Sequence, residues 1–104
     1  MKIGFIGFGE VNSPREMLEE KIAAAKERLM KKGLEVYDGG LVTDDIDRKE
    51  AAAAVERLRD KKFDVLIICL AGWVPSYAVI RTADHFKELP MVLWGLCGSY
   101  NEKG

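Results

Sequence analysis

Six consecutive apolar residues, Val65-Leu66-Ile67-Ile68-Cys69-Leu70, constrain the fold of this chain more than anything else in it. A strand with one wet face alternates apolar and polar residues. An unbroken, β-branched run belongs to a strand covered on both faces, and such strands occur in parallel sheets with helices above and below. The residues that follow fit this picture. Gly72 frees the backbone, and Pro75 suits the first turn of a helix. Trp73 is thereby held at the carboxyl end of a parallel strand, where open α/β sheets place their ligands. A flat apolar ring at such a mouth can stack on a sugar or a base, or plug a neighbouring subunit.

The rest of the chain repeats a strand–helix unit. Ile3 to Phe8 reads as strand one. Ser13 has the character of a helix N-cap, with Pro14 at the first helical position and Glu16 placed to return to the Ser13 amide. Leu18, Ile22, Ala25 and Leu29 form an apolar stripe at helical spacing, and Lys31, Lys32 and Gly33 end the helix. Leu34 to Tyr37 is expected as a short second strand, stopped by Asp38-Gly39-Gly40. Asp47 then caps a second helix, with Glu50 three residues on and a stripe of Ala51, Val55 and Leu58. Strand three starts at Phe63. Helix three opens at Pro75 with Val79, Ile80, Ala83 and Phe86 inward, and Met91 to Leu96 is strand four.

Strands alternating with helices imply right-handed crossovers and a parallel sheet. The expected fold is a three-layer α/β sandwich, flavodoxin-like or Rossmann-like, with four strands in the order 2-1-3-4 and the fifth strand missing. At 104 residues, 1–104 is one domain, the amino-terminal domain or a fragment of something longer. Strand four would then be an edge of Met, Val, Leu and Trp, blunted only by Pro90. That predicts either a truncated chain or a homo-oligomer that covers the edge.

Composition narrows function mainly by exclusion. A formal net charge of −1 gives no reason to expect nucleic acid or an acidic membrane. No apolar run approaches the ~20 residues of a membrane span, and the start does not read as a signal peptide. The expectation is a cytoplasmic protein with Cys69 and Cys97 as free thiols.

Chemistry-bearing patterns are partial. Gly7-Phe8-Gly9 resembles the opening of a dinucleotide fingerprint, but the third glycine position is Asn12 and the helix starts late. Asp38 could hold a ribose hydroxyl, although Asp before Gly-Gly is also an ordinary turn. Glu10, Val11 and Asn12 occupy the loop after strand one, at the same edge of the sheet as Trp73. A carboxylate, an amide and an aromatic ring at one mouth could grip a polyol. Asp44, Asp45 and Asp47 lack the glycine and distal glutamate of a calcium loop. His85, the sole histidine, has no zinc-ligand spacing around it, and no nucleophile with base and orienting group can be assembled. No catalytic residue, cofactor site or metal site is expected in the chain.

Leu70-Ala71-Gly72-Trp73-Val74-Pro75-Ser76, followed by Leu89-Pro90-Met91-Val92-Leu93-Trp94-Gly95, resembles the amino-terminal domain of L-fucose/L-arabinose isomerases. Ile6-Gly7-Phe8-Gly9-Glu10 with Ser13-Pro14 is similar to the same domain. The resemblance implies aldose–ketose isomerisation through an enediol, with manganese held by further domains. It implies that the amino-terminal domain lends substrate contacts to an adjacent subunit. Trp73, Glu10, Val11 and Asn12 match those contacts; none of the metal ligands has a match here. On this reading the isolated chain is not catalytic. The alternative is a free-standing flavodoxin-like module that binds a small ligand or a protein and has no enzyme activity.

Overall fold

The computed structural model describes residues 1–10, 12–45, 47–72 and 76–95, with Ser76 described by its backbone alone. In chain order the elements are β1 (Lys2–Phe8), α1 (Arg15–Lys31), β2 (Glu35–Val42), α2 (Lys49–Arg59), β3 (Val65–Leu70), α3 (Ser76–Ala83), a 3-10 turn (Asp84–Phe86) and β4 (Met91–Gly95). All the strand pairs are parallel, and the order across the sheet is β2-β1-β3-β4. This is the expected three-layer α/β sandwich of flavodoxin-like topology.

The alternation of β1 divides the core. Ile3 and Phe5 face α1, packing with Leu18, Ile22, Ala25, Ile67 and Cys69. Ile6 and Phe8 face the other layer, packing with Ala54, Leu58, Leu66 and Ile68, and with Val79, Ala83 and Phe86 of the third connection. Thus α1 covers one face, and α2 and α3 the other. β1 and β3 are central and buried almost throughout, which accounts for the uninterrupted apolar run of β3.

Several local expectations are corrected. Strand two does not stop at Asp38. It runs on to Val42 through a bulge, where the register passes from Phe5 opposite Asp38 to Ile6 opposite Gly40. Gly40 takes φ +91°, and its amide donates to Asp38 Oδ1 at 2.8 Å. The Asp-Gly-Gly triplet turns the strand locally instead of ending it. Ser13 does not cap α1: its own amide donates to the Glu10 carbonyl at 3.0 Å, which leaves Glu16 no such partner, and the helix begins after Pro14. Asp47 does not cap α2. Asp45 Oδ2 accepts the Lys49 amide at 2.9 Å, with Arg48 left-handed at φ 58° just before the helix.

Strand three starts at Val65, not Phe63. In α3 the inward face is Ala78, Val79, Thr82 and Ala83, and Ile80 is 65% exposed. The buried Thr82 satisfies its hydroxyl on the Ala78 carbonyl at 3.0 Å, so a polar residue replaces the expected isoleucine inside.

Candidate functional site

Three features fix the geometry at the carboxyl rim of β1 and β3. Phe8 pairs with Leu70, so the two strands end level with one another. The Ala71 amide continues the ladder onto the Phe8 carbonyl at 2.9 Å, and the Gly9 amide reaches the Val42 carbonyl at 3.1 Å. The Leu18 side chain of α1 then sits against both outgoing loops. A Cβ on Gly9 would lie 2.6 Å from Leu18, and one on Gly72 would lie 3.4 Å from it. From the same helix, Lys21 Nζ donates to the Ala71 carbonyl at 3.4 Å. One helix therefore pins the loop after β1 beside the loop after β3.

Glu10 stands half-buried and Asn12 exposed at this rim. Val11 and Trp73 lie outside the described residues; the pinning brings their two loops together at Gly9 and Gly72. A carboxylate and an amide beside a glycine turn can orient hydroxyl groups.

Gly7 and Gly9 receive a structural explanation. A Cβ on Gly7 would come within 2.2 Å of Ile22, and one on Gly9 within 2.6 Å of Leu18. The two glycines let α1 approach β1 closely. Asp38 is likewise engaged, accepting from Lys26 and from the Gly40 amide.

A concave region lies elsewhere, along the outer side of β2. The cleft holds about 670 Å³ and is lined by Arg15, Glu19, Lys26, Asp38, Glu50 and Arg57 among others. It is laced by ion pairs. Arg15 pairs with Glu50 and, at 3.1 Å, with Glu19; Lys26 pairs with Asp38; Arg57 donates to the Gly39 carbonyl at 2.8 Å. Glu50 also accepts from the Thr43 amide at 2.9 Å and from its hydroxyl. Burial pushes the Glu50 carboxyl up, but the bonds from Thr43 and Arg15 outweigh it and hold the group below its ordinary value. The Arg15 guanidinium is held above its ordinary value, chiefly by the hydrogen bond to Glu50.

Sequence reasoning missed this cluster. In the sequence Glu50 reads as part of a helix cap, and its partners Thr43 and Arg15 are 7 and 35 residues away. The signal that could have found it was a single carboxylate at the start of α2 with a threonine at the end of the preceding strand.

Cys69 is a free thiol buried in the core beneath α1, and burial raises it to about 11. Cys97 lies outside the described residues. His85 is exposed. Among the described residues no group of three or more His, Cys, Asp or Glu side chains could hold a metal ion, and no helix is long and apolar enough to cross a membrane. Compared with protein-family models, with curated proteins and with solved structures, the chain matches none.

Proposed function

We propose that this chain is the substrate-contacting amino-terminal domain of an aldose–ketose isomerase of the L-fucose/L-arabinose kind, working within an assembly of copies. One observation carries the reading: Leu18 seats the loops after β1 and β3 side by side at the carboxyl rim. This is where parallel sheets place ligands, and the residues put there suit hydroxyl groups rather than phosphate or flavin. Glu10 and Asn12 orient the polyol, and the Trp73 ring covers an apolar sugar face. The enediol chemistry needs a metal and a proton shuttle, which the reading assigns to manganese and to residues of further domains.

Trp94→Phe leaves Trp73 as the one indole, and titration of that variant with L-fucose or L-arabinose reads the site by fluorescence. A saturable change, weakened at least several-fold by Glu10→Gln or Asn12→Ala, is the expected result. An indole blind to both sugars overturns the assignment. Ketose formation by the purified chain with manganese would overturn the placement of the chemistry elsewhere.

A further inference from the structure

We infer that β4 is a self-complementary edge on which a second copy of this chain docks, its β4 running antiparallel about a two-fold axis at Leu93. The inference extends the assembly part of the reading above and does not depend on the sugar part.

Parallel pairing with β3 decides which backbone groups of β4 are free. The Leu66 amide donates to the Pro90 carbonyl at 3.0 Å, and Leu66 lies opposite Met91. Backbone groups alternate along a strand, so those of Val92 and Trp94 turn toward β3. Those of Met91, Leu93 and Gly95 turn outward, and β4 has no neighbour on that side among the described residues. An antiparallel copy centred on Leu93 lets the two Leu93 residues exchange both of their bonds. Met91 and the partner's Gly95 do the same on either side.

The side chains match in this register. On the α1 face Val92 falls opposite Trp94 of the copy, twice by symmetry, which is a β-branched residue against an aromatic. On the other face Leu93 meets Leu93, and each Met91 lies over a glycine that leaves it room. Centring the axis on Val92 instead would leave Gly95 outside the strand's own ladder and would part Val92 from Trp94.

Exposure and charge point to a copy rather than to another partner. Leu93 is 65% exposed, Val92 50% and Met91 36%. Ile80, also 65% exposed, projects from the flank of α3 turned away from α2, because Arg81, Thr82 and His85 occupy the α2 side. Together with the half-buried Trp94 these side chains offer on the order of 400 Å² per copy, about half of what a standard interface takes from each partner. The ladder itself adds the backbone. No residue of Met91–Gly95 carries charge, so the strand itself neither repels a copy nor recruits a charged partner; Arg28 of α1 and Lys32 just past its end stand beside Val92 and Trp94. The expected dimer is reversible and concentration-dependent.

Sedimentation of the chain over a range of concentrations tests this, with far-UV circular dichroism to confirm folding. Monomer and dimer should exchange, and Leu93→Lys should weaken dimerisation by about 100-fold, because two like charges then face each other across the axis. Register is read in a Cys97→Ser background. Leu93→Cys places two thiols on residues about 5.5 Å apart at their Cα atoms and should form a disulfide-linked dimer under mild oxidation. Val92→Cys faces tryptophan and should not cross-link to itself. A chain monomeric at every concentration, a dimer indifferent to Leu93→Lys, or cross-linking at Val92 in place of Leu93 would each overturn the inference. Because sugar titration and sedimentation are separate readouts, this inference can fail while the sugar reading stands, and the reverse.

Discussion

Among the described residues β2 and β4 each have a single neighbour in the sheet, yet β2 is fenced by charge and bent by a bulge while β4 pairs in unbroken register and is apolar. Along β2, Glu35 and Asp38 are exposed, Lys26 reaches across from α1 to Asp38, and Arg57 reaches from α2 to the Gly39 carbonyl. The bulge at Gly39 breaks the regular row of donors and acceptors that another strand would need. Among the described residues β4 has none of these devices and only Pro90 at its start. Protein edges are normally blunted, so a lightly guarded edge on the same sheet as a well-guarded one marks the side on which association is tolerated.

The guarded edge should be the costlier one to damage. Glu50→Ala removes the acceptor for the Thr43 amide and hydroxyl and leaves Arg15 only its pairing with Glu19. Thr43 is only 5% exposed, so its donors are left without full access to water. A loss of about 2–3 kcal/mol in urea unfolding is expected, the usual cost of orphaning buried groups bonded to a charge. A loss below about 0.5 kcal/mol would reduce the network to ordinary surface charge and weaken the contrast between the edges. Gly40→Ala should follow at roughly 1–2 kcal/mol, because alanine strains at φ +91°. A Cβ there would meet the tip of Arg57 at 2.4 Å, but that side chain can swing aside, so backbone strain sets the size. Gly33→Ala, at φ +87° with open space around it, isolates that strain from the contact.

How legible these features were in the sequence follows from how local their causes are. The apolar run of β3 announced a doubly covered strand, and the stripe of Leu18, Ile22 and Ala25 gave α1; together with the alternation of elements they implied the parallel sheet and its order. Each depends on period and burial, which one segment carries by itself. The extension of β2 was missed because Asp-Gly-Gly spells a turn, whereas pairing with β1 turns it into a bulge. Ile80 reads as inward in the sequence because apolar spacing alone cannot tell which flank of a short helix meets the sheet. The Thr43–Glu50–Arg15 cluster joins three elements, so it exists only after packing. At the rim, the loops after β1 and β3 could be placed from strand order, but Leu18 as the wedge between them could not.

Acidity offers a gentler probe of the guarded edge than deletion. The folded Glu50 carboxyl lies below its ordinary 4.5, so the stability it contributes is complete above that pH and is lost as pH falls through the lower, folded value. Glu50→Gln keeps the shape but cannot ionise. Unfolding free energy measured from pH 7 down to 3 should therefore fall less steeply in the variant below about pH 4.5. Equal slopes would show that other carboxylates dominate the acid limb and that Glu50 acts through shape alone.

The smallest effect belongs to the bare edge. Val92→Thr keeps β-branching and strand preference while placing a hydroxyl on a residue 50% exposed in the monomer. In dilute solution, below the range where copies associate, urea unfolding should change by no more than about 0.5 kcal/mol. At high concentration the same substitution should lower apparent stability further, because a dimer stabilises its folded protomers by mass action and the hydroxyl would face the partner's Trp94. The contrast with β2 is sharpened by this concentration dependence: Glu50→Ala should cost the same at any dilution, since its bonds lie within one chain. A loss of 2 kcal/mol or more for Val92→Thr in the dilute monomer would mean that β4 is already held as an interior strand, and the distinction between the two edges would fail.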